Sequence, residues 1–183
     1  GQAFDLREPG EATDAALRGA DWPAARTISL DCIAWLCTSG EARDRVAAHG
    51  LRVAGARIEV GDDTQALASI DVPIGVALTA CYFPDEFSIS NSSFRQFSLS
   101  RSCLKKPLAA DGLVVAKSLR MIGATIHGDA NLRRLQSGDD VDFTAAQIEG
   151  AVFLPGAKID GDLRFSDASV GATDSAASSA DAI

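Results

Sequence analysis

The stretch that decides the fold is residues 127–170, which divide into four blocks of eleven: HGDANLRRLQS, GDDVDFTAAQI, EGAVFLPGAKI and DGDLRFSDASV. When the blocks are stacked, apolar residues recur at the fourth, sixth and eleventh positions, and small residues recur at the ninth. The sixth position, for example, carries Leu132, Phe143, Leu154 and Phe165. A fixed period of this kind means that each unit packs mainly on its neighbours, so the sequence predicts a solenoid.

The same register extends upstream to Ala48 and gives eleven blocks in all. The seven further blocks cover residues 48–58, 62–72, 73–83, 84–94, 95–104, 105–115 and 116–126. Block 95–104 is one residue short, and residues 59–61 form a three-residue insertion. The sixth position is apolar in every block, and the ninth is Ala, Ser or Cys in eight of the eleven. We therefore expect a narrow interior along the ninth position, where a variant such as Ala157→Trp is destabilising.

Within a block, the apolar positions are separated by steps of two, three and two residues, and the next block follows after a step of four. Steps of two are typical of strands, because alternate residues share a face. The pattern predicts short extended pieces joined by corners, with two blocks per four-sided coil of about 22 residues and a coil spacing of about 4.8 Å. Glycines at the second and eighth positions are expected to relax the corners. The alternative, an antiparallel sandwich of short strands, explains the alternation but not the period of eleven.

Three short motifs place alanine two positions before isoleucine: Ala124-Thr125-Ile126, Ala146-Gln147-Ile148 and Ala157-Lys158-Ile159. In these motifs the repeat region resembles pentapeptide-repeat proteins, with one extra residue in every second pentad. The resemblance implies an all-β solenoid, a right-handed quadrilateral β-helix of about five to six coils. The sequence of the repeats resembles a diverged actinobacterial and proteobacterial branch of this class, and the resemblance to that branch implies no particular activity. Other pentapeptide-repeat proteins imitate double-stranded DNA and bind type II topoisomerases.

Residues 1–47 lack the period, and we interpret them as an N-terminal segment whose short α-helical cap covers the repeat domain at residues 48–170. The apolar pattern over residues 26–37 predicts an amphipathic helix with Ser29 as its N-cap, followed by a second helix over residues 41–49. Trp22, Trp35 and Leu36 are expected to pack on the first coil. The alternative is a separate pair of partner-binding helices.

Residues 171–183 form a low-complexity tail without an apolar period, so they are not expected to cover the last coil. Two interpretations stay open. In one, the chain forms a homodimer through its C-terminal coil, and in the other it is a piece of a longer protein.

The net charge of −8 argues against direct nucleic-acid binding. The sequence shows no apolar run long enough for a membrane span and no signal-peptide pattern. Cys32, Cys37, Cys81 and Cys103 lack zinc-site spacing and fit free thiols, which favours a cytoplasmic protein without metal or cofactor. Residues 48–170 hold 15 acidic and 12 basic side chains, a mixture that weakens the resemblance to duplex DNA.

Weak candidate sites lie on the predicted surface. The fifth position of alternate blocks should place Arg120, Asp142 and Arg164 in one row, which we interpret as a charge ladder rather than an anion site. Asp139, Asp140 and Asp142 fall at a corner, where turn formation is a simpler explanation than cation binding.

His127, Arg133 and Arg134 could hold a phosphate, but a solvated corner is the favoured interpretation. No Asp or Glu falls at an inward position, so no catalytic residue is assigned. The sequence therefore predicts a non-enzymatic binding or scaffold module that presents a rigid face to an unidentified protein partner. The alternatives are a DNA mimic that binds or protects a type II topoisomerase, and an enzyme with a site on the β-helix surface.

Overall fold

The computed structural model describes residues 4–12, 14–46, 50–61 and 66–171, whose strands wind into stacked parallel coils. Each later coil has four sides, numbered 1 to 4 in chain order. Side 1 contains Val114–Val115, Gln136–Ser137 and Lys158–Ile159, and side 2 contains Phe4–Asp5, Leu51–Ala54, Leu119–Arg120, Val141–Asp142 and Leu163–Arg164. Side 3 contains Thr27–Ser29, Arg57–Glu59, Tyr82–Phe83, Cys103–Leu104, Thr125–Ile126, Gln147–Ile148 and Ser169–Val170, and side 4 contains Phe87–Ser88, Leu108–Ala109, Ala130–Asn131 and Val152–Phe153. Two longer strands, Asp71–Thr79 and Ser93–Ser98, run through sides 1 and 2 and join them into one sheet.

Successive strands on one side pair in parallel at the predicted interval. Val114 lies opposite Gln136, and Gln136 lies opposite Lys158, so each turn of the later coils takes 22 residues. The repeat therefore builds an all-β solenoid of about five turns, as the sequence predicted.

The predicted inward positions form the core. Val141, Phe143 and Ile148 hold the fourth, sixth and eleventh positions of one block, and each is at most 1% exposed. The ring of Phe143 stacks on that of Phe165 in the next coil, with 4.9 Å between centroids. Complete burial of a side chain of this size stabilises the fold by about 1.5–3 kcal/mol. Columns of apolar contacts thus run along the rod and fix the register of the coils.

The ninth position alternates between two corners of different width. Ala124 and Ala146 lie at the corner before side 3, whereas Leu113 and Leu135 lie at the corner before side 1, and all four are fully buried. The ninth position is small in every coil at the corner before side 3, whereas the corner before side 1 also accommodates leucine. Ala157 follows Leu135 at the wider corner, so the expectation that it occupies the narrow column was wrong.

Every block turns through a left-handed residue at its eighth position. The backbone angle φ there lies between 50° and 72° at Gly55, Ser69, Ala80, Asn91, Arg101, Gly112, Gly123, Arg134, Ala145, Gly156 and Asp167. Only four of these residues are glycine, although the left-handed conformation costs other residues about 1–2 kcal/mol. The strands on either side of each corner must offset that cost through pairing and burial.

Gly128 has a φ of 123°, as the predicted relaxation of a corner requires, but glycine at the same second position has a different cause at Gly150 and Gly161. A Cβ atom on Gly150 would lie 2.6 Å from the carbonyl carbon of Gly128 and 2.7 Å from the amide nitrogen of Asp129, in the preceding coil. The Asp129 carboxylate accepts a hydrogen bond from the Ala151 N–H at 2.9 Å. Gly161 has equivalent contacts half a coil later. Glycine is needed here because the coils approach each other closely, and not because the backbone turns.

The short block 95–104 has one residue fewer between sides 1 and 2 than later blocks. Phe94 and Phe97 therefore both point inward from one continuous strand, with their ring centroids 4.7 Å apart. The preceding strand has the full complement of residues and accommodates the extra one as a register shift between Val72 and Gly75. The result is a continuous sheet surface where later coils have a corner.

The N-terminal segment closes the first coil with helices and strands. Its helices are Leu30–Thr38 and Gly40–Val46, preceded by 3-10 helices at Ala15–Asp21 and Ala24–Arg26. Ser29 is the N-cap as predicted, and its Oγ accepts the Asp31 N–H at 3.1 Å. The segment also supplies two strands, since Phe4–Asp5 pairs with side 2 and Thr27–Ser29 pairs with side 3. The ladders thus begin within this segment.

Two of the three residues predicted to pack on the first coil do pack against the solenoid, but Trp22 does so against residues of later coils. Trp22 packs beside the small buried cluster around Tyr82, and Leu36 packs against the main core. Trp35 is 56% exposed, so its predicted burial was wrong. The helix buries Leu30 and Ile33, and a residue two positions after Ile33 lies on the outer face.

Arg26 ties this segment to the first coil. Its guanidinium donates to Gly55 O at 2.8 Å and to both carboxylate oxygens of Glu11 at 2.7 and 3.0 Å. It also lies 3.8 Å from the ring centroid of Trp22. The Arg26 hydrogen bonds lower the pKa of Glu11. Because Arg26 is only 7% exposed, loss of any one partner leaves a buried charge incompletely satisfied.

His49, Gln65 and the tail from residue 172 onward lie outside the described residues. All four cysteines are free, and only Cys32 is exposed. None of the helices in the described ranges is long and apolar enough to cross a lipid bilayer.

Candidate functional site

A groove of about 750 Å³ crosses side 2 in the N-terminal part of the rod. Its polar lining comprises four arginines, one aspartate and four uncharged side chains, namely Arg7, Arg52, Arg101, Arg120, Asp5, Thr79, Gln96, Ser98 and Ser100. We call this feature the arginine groove. It is a positively charged patch on a chain whose net charge is −8.

The β-ladder explains both the position and the depth of the arginine groove. Arg52 lies opposite Ala77, Ala77 lies opposite Ser98, and Ser98 lies opposite Arg120. Three strand spacings separate the two arginines, a distance of about 14 Å along the rod. Because the two residues between them are small, space remains above the sheet surface. The groove therefore lies on the strands that join sides 1 and 2.

The arginines differ in their pairing. Arg7 donates two hydrogen bonds to Asp5, at 2.8 and 2.6 Å. These bonds lower the pKa of Asp5 to about 2 and raise that of Arg7, so the two charges balance each other. Arg52, Arg101 and Arg120 form no ion pair with any carboxylate in the described part of the chain. Three cationic side chains of the groove are thus without a carboxylate partner among the described residues.

The predicted row of Arg120, Asp142 and Arg164 is present in register. Arg120 lies opposite Asp142, and Asp142 lies opposite Arg164. The ion pairs of Arg164, however, go to Asp140 at 2.8 Å and to Asp162 at 2.9 Å. The hydrogen bond to Asp162 is the main reason that the pKa of Arg164 is raised. The three residues therefore lie in one row as predicted. Arg164, however, forms its ion pair with the preceding coil through the corner residue Asp140 and not through Asp142.

The acidic corner at residues 139–142 is occupied by structural hydrogen bonds. Asp142 Oδ1 accepts the Thr144 N–H at 2.8 Å, and Asp140 Oδ1 accepts the Asp162 N–H at 2.9 Å. The Asp139 carbonyl accepts the Ser137 hydroxyl at 2.9 Å. No group of three or more potential metal ligands occurs within the described ranges. These contacts agree with the interpretation of the aspartates as turn residues.

His127 belongs to a second row, at the corner after side 3. Its Nε2 lies 3.0 Å from Lys105 Nζ in one neighbouring coil, and its Nδ1 lies 2.6 Å from Glu149 Oε1 in the other. This arrangement fits an imidazole that accepts at Nε2 and donates at Nδ1. His127 thus links three successive coils.

Arg133 and Arg134 follow side 4 and have other partners. Arg134 pairs with Asp111 at 2.9 Å, whereas Arg133 lines a smaller groove of about 300 Å³ on side 4 together with Asp129 and Phe153. Within the described residues, His127 pairs with Glu149 and Arg134 pairs with Asp111, so His127 and the two arginines have no carboxylate partner in common. The three side chains proposed for a phosphate therefore have separate surroundings.

Sequence reasoning identified Arg120 but missed the other arginines of the groove. Arg52 occupies the same fifth position as Arg120, six blocks upstream counted through the short block, so extending the row would have found it. Arg101 lies at a corner, and the approach of Arg7 depends on the parallel pairing of Phe4–Asp5 with side 2. No periodic signal in the N-terminal segment could have located Arg7.

Comparison with known proteins finds no matching family model, no matching curated protein and no matching solved structure. The architecture itself is a β-solenoid of stacked parallel coils, consistent with a β-helix repeat protein.

Proposed function

We propose that the protein is a non-enzymatic binding or scaffold module that presents a rigid β-helix face to a protein partner. The observation that carries the proposal is the continuous ladder of side 2, which runs from Phe4–Asp5 to Leu163–Arg164. Seven parallel strands at about 4.8 Å span about 29 Å. The backbone of such a ladder is already ordered before a partner binds, which lowers the entropic cost of association.

The tight corners support this proposal. Because every corner turns within a left-handed residue, the surface between residues 66 and 171 consists of strand faces and short corners. Recognition would therefore use the flat sides of the rod rather than long loops. The mixed signs of Arg120, Asp142 and Arg164 on one face favour a protein partner over imitation of duplex DNA, whose charges have a single sign.

We further propose that the chain is a diverged, pentapeptide-repeat-like protein of the cytoplasm. The motif alanines Ala124 and Ala146 occupy the narrow corner before side 3, and Ile126 and Ile148 point into the core. Three of the four free thiols are buried, which suits a reducing compartment.

A homodimer through the C-terminal coil is part of the same proposal. Leu163 and Val170 are 42% and 45% exposed, whereas their register partners Val141 and Ile148 are at most 1% exposed. Sedimentation velocity should show a dimer that Leu163→Lys converts to a monomer, while Val114→Lys on side 1 leaves the dimer intact. A monomer at all concentrations would contradict this part of the proposal.

The binding function is tested by comparing faces. The protein is immobilised, a partner is captured from an extract and purified, and its affinity is then measured for matched variants of two faces. Arg120→Gln changes side 2, and Phe153→Ala changes side 4. We expect saturable binding that one variant weakens at least about tenfold and the other leaves unchanged. Failure of any purified protein to bind saturably would contradict the proposal, and an effect on gyrase supercoiling would favour the topoisomerase-binding alternative.

A further inference from the structure

The arginine groove has the charge of a site for an acidic ligand. Among its charged lining residues, Arg52, Arg101 and Arg120 lack a carboxylate partner in the described part of the chain, and only Asp5 contributes a negative charge. Guanidinium groups bind carboxylates through two parallel hydrogen bonds, which gives them strength and direction. Counting only the described residues, a chain with a net charge of −8 thus places three arginines without a carboxylate partner beside one cavity.

The spacing of the arginines fits an extended segment better than a single small anion. Arg52 and Arg120 are held at the two ends of a four-strand row, about 14 Å apart. An extended peptide advances about 3.3 Å per residue, so this row spans about four residues. A small anion would contact only one end of it.

The uncharged lining suits a peptide backbone. Ser98 and Ser100 have hydroxyl oxygens 3.0 Å apart, and Thr79 and Gln96 lie in the same groove. Hydroxyl and amide groups can both donate to and accept from peptide N–H and C=O groups. The lining contains no aromatic ring, whereas proteins that bind single-stranded nucleic acid usually stack bases on aromatic side chains.

We infer that the arginine groove binds an acidic peptide segment of a partner protein, with Arg52 and Arg120 each holding a carboxylate and Arg101 contacting the segment from the corner. This inference rests on the proposed function and names the chemistry of the partner. Affinity arises from side-chain recognition across a strand face, because the strands beneath the groove are already paired on both edges.

The test uses the intact protein and fluorescein-labelled hexaglutamate, followed by fluorescence anisotropy at low and physiological salt. We expect saturable binding that weakens as salt rises. Arg52→Gln and Arg120→Gln should each reduce the affinity about tenfold, since each removes a charge-assisted hydrogen-bond pair. Arg133→Gln, an exposed arginine of side 4, is the matched control and should leave the affinity unchanged. Circular dichroism confirms that each variant is folded.

Hexalysine, a six-nucleotide oligothymidylate and inorganic phosphate provide the contrasting probes, and the two polymers have the same number of units as hexaglutamate. Tighter binding of the oligothymidylate than of hexaglutamate would overturn the inference in favour of nucleic acid. Displacement of hexaglutamate by inorganic phosphate at the same total concentration of negative charge would overturn it in favour of a small anion as the ligand. If Arg133→Gln lowered the affinity for hexaglutamate as much as the groove variants do, the binding would be nonspecific electrostatic attraction and the inference would be overturned. A partner lost only on changing side 4 would overturn the groove assignment and keep the proposed function. Specific hexaglutamate binding, combined with failure to find any protein partner, would keep the groove assignment and overturn the proposed function.

Discussion

Gly150 and Gly156 lie in the same block but should respond differently to substitution by alanine. Gly156 has a φ of 72°, and a Cβ atom there would lie 3.7 Å from Arg134 Cγ, an ordinary contact. Gly156→Ala therefore adds the strain of a left-handed residue, partly offset by reduced freedom of the unfolded chain, for a net loss of about 1 kcal/mol.

In Gly150→Ala the added methyl group clashes with backbone atoms of the preceding coil, and the backbone conformation of residue 150 itself is not strained. Its Cβ would lie 2.6 Å from Gly128 C and 2.7 Å from Asp129 N, and it would also contact Asp129 Oδ1. The coils must separate locally, which costs about 1–3 kcal/mol for overpacking. The hydrogen bond from Ala151 to Asp129 is also weakened, which adds about 1 kcal/mol. We expect a total loss of about 2–4 kcal/mol.

Urea unfolding followed by far-ultraviolet circular dichroism measures both variants, with coincident fluorescence transitions as the test of two-state behaviour. Because both glycines belong to the same block, fraying of the last coil affects them equally. The double variant Asp129→Ala/Gly150→Ala should stay destabilised, since the backbone atoms of the preceding coil remain in place. A larger loss for Gly156→Ala than for Gly150→Ala would refute the assignment of the two glycines.

Three further predictions concern the core, the cap and the thiols. Ala146→Leu should destabilise the fold by about 1–3 kcal/mol, because it overfills the narrow corner before side 3, and a melt close to wild type would contradict that geometry. Wild-type stability should fall as the pH drops below the usual pKa of glutamate, because the folded-state pKa of Glu11 is depressed by Arg26 and its stabilisation is lost on protonation. Glu11→Gln should remove part of that pH dependence in urea titrations, and an identical profile would exclude this cause. Cys32 should react rapidly with iodoacetamide in the folded protein while Cys81, with its pKa raised to about 12 by burial, stays unmodified by mass spectrometry. Rapid native-state labelling at Cys81 would contradict its place in the core.

The periodic core was predictable because burial repeats with the chain. Phe143 and Ile148 follow from their positions in the block alone, since every block from residue 73 to residue 148 buries its sixth and eleventh positions. The sequence predicts two kinds of ninth position only if alternate blocks are compared separately, because Leu113 and Ala124 share a position in the block but lie half a coil apart.

The remaining features depend on contacts that a single block does not contain. The left-handed φ of Arg134 and Ala145 is imposed by the neighbouring strands and contradicts the preference of those residues. Trp35 was misplaced because a short helix of mostly apolar residues leaves its buried face ambiguous. The arginine groove combines a periodic residue, Arg120, with Arg7 from the non-periodic N-terminal segment.

The shorter block 95–104 shows how the solenoid tolerates coils of unequal length. Phe94 and Phe97 are separated by one residue fewer than the equivalent residues of later coils, and the adjoining strand accommodates the difference between Val72 and Gly75. On either side of that irregularity the strands keep their parallel pairing, so that Ala77 still lies opposite Ser98 at the base of the groove. In a repetitive scaffold, a difference of one residue between adjacent coils can thus be confined to a single register shift.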